Sequence, residues 1–311
     1  MSQQGLLIMK PFAVTDATLV SSTVPEDDAA PWSSTATYAN GAMVMLASTH
    51  SVYENSLDGN TNKSPDAHPD IWTRVRATNR WRCLDRKNSA RTAQAEGMAF
   101  VFAPGTAIGM LAVVGLVNAA SVRGRMIDPV YGTVWDQTQY PGPAPVQSDP
   151  WEWAFGEWTN GKTLALFTGL PSFPNAQLHV ELVGGPDLAL GHLIYGQPRV
   201  WGQGVAWGVR LGRAVYSKIE PNKYGELELL KRPTAKKPSF EVLLRRHELD
   251  PLMDFLDTID AQVCLFVIAD LWECMTLVGV VQNADALPRG LSDIVLDMEL
   301  LEVVGHASTT N

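Results

Sequence analysis

Ser121-Val122-Arg123-Gly124-Arg125-Met126-Ile127-Asp128-Pro129-Val130-Tyr131-Gly132-Thr133-Val134-Trp135-Asp136 is the stretch that decides the fold class. Val122, Gly124 and Met126 alternate with Arg123 and Arg125, the period of a half-buried strand. Asp128-Pro129-Val130-Tyr131-Gly132 is turn chemistry, so a second strand follows over 132–136. Outward from this hairpin, segments 98–102, 110–116, 163–168 and 177–182 carry the same strand character. Residues 81–195 therefore read as a β-sandwich, with an exposed loop at Pro141-Gly142-Pro143-Ala144-Pro145.

The flanks read differently. Residues 1–30 hold one short strand over 6–9 and the acidic turn Glu26-Asp27-Asp28, and read as an arm. Residues 31–80 are rich in Ser, Thr, Asn and Asp, with short strands expected around 42–47 and 51–53 and a long polar loop over 58–70. So small a module is held by a few aromatics and by strand pairing. Residues 196–311 read as an α+β docking unit, opening with a Gly- and Trp-bearing extended segment over 196–212. Asp250 before Pro251 predicts a helix start, and Leu252, Phe255, Leu256 and Ile259 fall at helical spacing opposite Asp254, Asp257 and Asp260. Strands are expected over 263–268, 275–281 and 294–300. The fold class is mainly β: a small aromatic module, a sandwich and a C-terminal α+β unit with one clear helix.

Composition narrows the function classes. The chain has 311 residues and net charge −9, which argues against a phosphate-backbone binder. Its one basic cluster, Lys231, Arg232, Lys236 and Lys237 with Arg245 and Arg246, reads as a solvated or interface-facing surface. Cys83, Cys264 and Cys274 are widely spaced and odd in number, neither a disulfide framework nor a zinc set, and point to folding in a reducing cytoplasm. The first residues lack a basic n-region, and the most apolar stretch, 98–120, is broken by Pro104-Gly105, Gly109 and Gly115, so neither a signal peptide nor a membrane span is expected.

No metalloprotease, P-loop or nucleophile-elbow motif occurs, and the six His are scattered. Gly202-Gln203-Gly204 begins like a dinucleotide loop without its third glycine. Asp58-Gly59-Asn60-Thr61-Asn62 begins like a calcium loop, but Lys63 and Pro69 stand where Gly and Glu are needed. Paired carboxylates for glycoside cleavage exist only as sequence neighbours, Glu152 with Glu157 and Glu26 with Asp28. We therefore expect no enzyme, no cofactor and no metal. The remaining constellation is aromatic. Sugars offer C–H faces that stack on rings, and hydroxyls that short polar side chains bond. Trp32, Tyr38, Tyr53 and Trp72, with Asn60, Asn62 and Asp70, supply both types. In so small a module the same rings read first as its own core.

Pro31-Trp32-Ser33-Ser34-Thr35-Ala36-Thr37-Tyr38-Ala39-Asn40-Gly41-Ala42-Met43-Val44 resembles the opening of small chitin-binding-type carbohydrate-binding modules, and Tyr53, residues 60–65 and Trp72 continue the likeness. Such modules often end on adjacent Trp residues, where this chain has Ile71-Trp72. Asp16-Ala17-Thr18-Leu19, Val24-Pro25-Glu26-Asp27-Asp28, Thr78-Asn79-Arg80-Trp81 and Gly132-Thr133-Val134-Trp135-Asp136 resemble signatures of tail proteins of tailed bacteriophages, as do Tyr216-Ser217-Lys218 and Tyr224-Gly225. Cys83-Leu84-Asp85 stands where that family usually has an aromatic-Asp pair. The resemblance implies a structural protein of a phage tail tip or baseplate, assembled in the host bacterial cytoplasm and resident in the virion. Its implied partners are other copies of itself in a ring, tail tube, hub or fibre proteins, and a host surface glycan. A glycan- or receptor-binding role is the alternative.

Overall fold

A computed structural model describes residues 5–86, 90–142, 161–221, 224, 226–269, 272–289 and 293–303. Strand makes up 54% of the chain, against about 20–25% in an average soluble domain, so the architecture is mainly β as expected. In chain order the first strands are β1 Leu6–Pro11, β2 Leu19–Ser22, β3 Thr37–Tyr38, β4 Met43–Leu46, β5 Ser51–Asn55, β6 Asn60–Thr61 and β7 Trp72–Ala77. After the short helix α1, Asn79–Arg82, come β8 Thr92–Ala93, β9 Gly97–Phe102, β10 Met110–Val114, β11 Val117–Asp128, β12 Gly132–Gln139, β13 Leu164–Thr168, β14 Gln177–Leu190 and β15 His192–Trp201. Then follow β16 Gly204–Val205, β17 Arg210–Val215, β18 Lys218–Pro221, β19 Leu227–Leu230 and β20 Thr234–Arg245. Helix α2, Leu249–Thr258, precedes β21 Cys264–Val267, β22 Thr276–Pro288 and β23 Asp293–Glu302.

The expected hairpin is β11–β12, with Arg125 opposite Asp136 and Met126 opposite Trp135. It belongs to a six-stranded sheet ordered β12-β11-β14-β9-β2, with β8 on β14. Val122, Met126, Phe100, Phe102, Leu178 and Val180 point inward from it and meet Leu111, Val113, Phe167, Leu193 and Tyr195 from β10, β13 and β15. Those three strands begin a second sheet, ordered β13-β10-β15-β1-β21-β22-β23-β20-β16, with β17 on β20. The two sheets thus enclose the sandwich core.

The second sheet continues far past the sandwich. Leu6–Pro11, expected within a leading arm, is a central strand there, pairing β15 on one side and β21 on the other. Leu6 and Ile8 pack under α2 with Phe255, Phe266 and Leu296. Leu7 and Met9 face the opposite way, into a cluster with Met110, Ala112, Leu265 and Val267 drawn wholly from this sheet, as in a sheet curled into a half-barrel. The expected boundary between 195 and 196 falls inside β15, so the sandwich and the C-terminal unit share one hydrogen-bonded sheet.

Helix α2 buries Leu252 and Phe255 and turns Asp254 and Asp257 outward, as its spacing predicts, and just past its end Ile259 is buried and Asp260 exposed. Its start differs. The N-terminal turn begins before Asp250, where the Glu248 carboxylate accepts the Arg245 N–H at 2.8 Å, and Asp250 lies within the first turn. The segment 196–212 is mostly strand, shared among β15, β16 and β17.

Candidate functional site

The aromatic module is built on the three-stranded sheet β4-β5-β7 beside the pair β3-β6. Val44, Tyr53, Ile71 and Trp72 are its buried centre, with Trp32, Tyr38 and Leu46 packed around them. The Trp72 indole N–H donates to the Lys63 carbonyl at 2.9 Å, and the Tyr38 ring meets the Trp72 ring edge-on at 5.4 Å. The Tyr53 hydroxyl donates to Thr49 Oγ1 at 3.0 Å, and the Tyr38 hydroxyl accepts the Ser33 N–H at 2.7 Å. All four rings predicted from sequence therefore come together. Trp72 and Tyr53, however, are 2% and 8% exposed and offer no open face.

Asn60 also lies inside. Its Nδ2 donates to Asn55 Oδ1 at 2.9 Å, and Asn55 Nδ2 donates in turn to the Ala39 carbonyl at 2.8 Å. Asn55, buried at the end of β5, is the organising amide that sequence reading missed. Asn62, at φ 54°, and Asp70 are on the surface, and Trp32 and Tyr38 are half-buried. Of the sugar-contact set, Trp72, Tyr53 and Asn60 thus build the module, and Trp32, Tyr38, Asn62 and Asp70 form its accessible part.

A second constellation seats this module on the rest of the chain. Both ring nitrogens of His50 lie against carboxylates, Nδ1 2.9 Å from Glu26 and Nε2 2.8 Å from Asp16. The His50 ring stacks on Trp81 at 4.0 Å. Glu26 further accepts the Thr78 hydroxyl at 2.8 Å and lies 3.6 Å from Arg80. Asp28 pairs with Arg82 and accepts the Asn79 N–H at 2.5 Å. Glu26 and Asp28, raised from sequence as a carboxylate pair, are each tied into these contacts. Glu152 and Glu157 lie outside the described residues.

The calcium-like loop is used structurally, since Asp58 Oδ1 accepts the Asn40 N–H at 2.8 Å. Among the described residues no group of three or more His, Cys, Asp or Glu could hold a metal ion. No helix among them is long and apolar enough to cross a membrane. Cys83 and Cys264 are buried, and burial pushes their thiols up to about 12 and about 11, which leaves them unreactive. Within the basic cluster, Lys236 and Lys237 are ion-paired with Glu302 and Glu299, while Lys231 and Arg232 are exposed.

Elsewhere, exposed large apolar side chains crowd the stretch between Trp207 and Leu230. The two-stranded hairpin β18-β19 stands outside the large sheets, and every described residue of its strands is exposed. Ile219, Leu227 and Leu229 are 64%, 66% and 70% exposed, and Trp207, 93% exposed, lies apart from them beside Arg210, Glu241 and Asp297. Lys218–Pro221 pairs with Leu227–Leu230 so that Ile219 sits opposite Leu229, and both point to one face of the ribbon. Such a ribbon is marginal in water on its own, and contiguous exposed apolar patches are uncommon on monomeric soluble proteins. Sequence reading placed no strand over 218–230; the signal it passed over was the alternation Leu227-Glu228-Leu229 opposite Ile219-Glu220. Comparison with protein-family models, with curated proteins and with solved structures finds no match.

Proposed function

We propose that this chain is a structural, non-enzymatic component of a bacteriophage tail tip or baseplate. In this reading it is assembled in the host cytoplasm as a symmetric oligomer that connects tail tube, hub or fibre proteins. The hairpin β18-β19 carries the proposal: its apolar residues face solvent in the isolated chain and gain the most from being covered in an assembly. The continuous second sheet supports it too, because one hydrogen-bonded body running from the sandwich to α2 transmits load without a hinge. The C-terminal unit, which bears the hairpin, is the docking part in this reading. Quantitative mass spectrometry of purified particles from a phage encoding this chain tests it. Several copies per particle are expected; particles that infect normally and lack the chain overturn the proposal.

Glycan recognition is the second reading, favoured by the half-buried Trp32 and Tyr38 beside the exposed Asn62 and Asp70. Trp32→Ala should then abolish retention on a glycan array while leaving the melting temperature nearly unchanged. Absence of any retention by the unmodified protein removes this reading.

A further inference from the structure

The hairpin has a matching surface on the chain itself. Residues 207–237 hold eight Lys or Arg and three Asp or Glu, a net of +5 in a chain of net −9, which leaves −14 on the remainder. Lys231 and Arg232 follow directly on the apolar strand β19, and neither they nor Arg213 has an ion-pair partner among the described residues.

On the outer face of β20-β23-β22 the strand register places three carboxylates side by side. Glu241 pairs with Asp297, and Asp297 with Asp285, all three exposed. Like charges directly opposite one another across strands raise the energy of a sheet. Arg289, 3.8 Å from Glu241, is the one ion-pair partner this row has among the described residues. Two residues along each strand, and so on the same face, lies an apolar row. Leu243 is opposite Val295, and Val295 opposite Leu287; Val295 is buried, and Leu243 and Leu287 on either side of it are 45% and 57% exposed. An apolar row flanked by an acidic row is the complement of an apolar ribbon flanked by cations.

We infer that the hairpin face formed by Ile219, Leu227, Leu229 and Lys231-Arg232 seats on the exposed Leu243 and Leu287 and the Glu241-Asp297-Asp285 row of a second copy of this chain. The inference rests on the assembly reading above and names its partner surface. Hydrophobic rows supply the contact area, and the charges fix its register and raise the association rate.

Mass measurement of the purified full chain in solution, at about 0.1 M and about 1 M salt, tests the pairing. The unmodified protein should self-associate, more weakly at high salt. Glu241→Lys with Asp297→Lys should weaken association about tenfold or more, and so should Lys231→Glu with Arg232→Glu. The four changes together should restore it, because the charges are then exchanged. Ile219→Ser with Leu229→Ser should give monomer. All of these side chains are exposed, so unchanged far-ultraviolet circular dichroism and melting temperature confirm folding for each variant. An unmodified protein that stays monomeric, or an oligomer indifferent to both charge reversals, overturns the inference. An indifferent oligomer leaves the tail-assembly reading standing, whereas that reading itself falls on the particle composition.

Discussion

A carbon added at Gly124 would lie 2.7 Å from Cη2 and 2.8 Å from Cζ3 of Trp135. The inward position between Val122 and Met126 is a glycine because the indole from β12 lies across it, edge-on to Phe167 at 5.5 Å. The alternation pattern is indifferent to this; it marks Gly124 as inward but gives no hint of what fills the space. Gly124→Ala should cost about 1–3 kcal/mol through overpacking, read as a lower urea midpoint with unchanged slope. His192 poses a different residue-scale question. It is 5% exposed, and burial pushes its pKa down to about 4, outweighing the opposing pull of Asp85. Unfolded, the ring takes its proton near pH 6.5. Between those values the unfolded state binds the extra proton, so stability is complete above about pH 6.5 and falls as pH drops toward 4. The full loss is about 3 kcal/mol. Unfolding curves over this range should show the slope, and His192→Gln should flatten it. An equal slope in the variant would assign the effect to other groups.

At the scale of elements, strands were legible whether one face or both are covered: the doubly buried β10 and β21 begin within a residue of where sequence places them. Among strands with one wet face, β11 is legible from alternation, and β9 and β14 begin within a residue of the segments expected as strands. Helix α2 was legible from its 3.6-residue spacing, but not its start, because the Glu248 carboxylate caps the Arg245 N–H while Asp250 makes no side-chain cap. The module's aromatic set was legible as a set. Its division into buried and accessible members was not, since that depends on β5 pairing with both β4 and β7 and on the Asn55 amide. The seat on His50 was invisible for the same reason: Asp16, Glu26, His50 and Thr78 meet only after folding. The division makes a prediction about the element. Trp72→Ala removes the largest buried ring of a four-residue centre and should cost the module about 3–5 kcal/mol. A module this small cannot absorb that loss, so limited proteolysis should nick the variant within residues 31–77. Trp32→Ala, at the rim, should stay resistant. Equal protection of both variants would mean that Trp72 is not the centre.

For the whole molecule, the decisive strand is one with no alternation to read. Leu6, Leu7, Ile8 and Met9 are all buried because both faces of β1 are covered, Leu6 and Ile8 under α2 and Leu7 and Met9 inside the curl of the sheet. A continuous apolar run of this length is what a doubly covered strand requires, but it does not say which strands flank it. Here they are β15 and β21, nearly two hundred and about two hundred and sixty residues away. The chain thus closes on itself: its first strand lies between the last strand of the sandwich and the first strand after α2. Sequence composition suggested a separable C-terminal unit; the shared sheet argues for mutual dependence. Ending the chain near Val200 would remove β20 to β23 and α2, uncover Leu6 and Ile8, and leave the backbone of Leu7 and Met9 without the β21 ladder. An edge so apolar and unpaired is an aggregation site. The truncated protein should therefore be recovered as aggregate, or as monomer with a broadened thermal transition. Removing residues 1–11 from the full chain should weaken both halves together, seen as one lowered transition by calorimetry. A truncated chain that stays soluble and melts as sharply as the full protein would show that the sandwich closes without its C-terminal neighbour, and that β1 joins two bodies which stand independently.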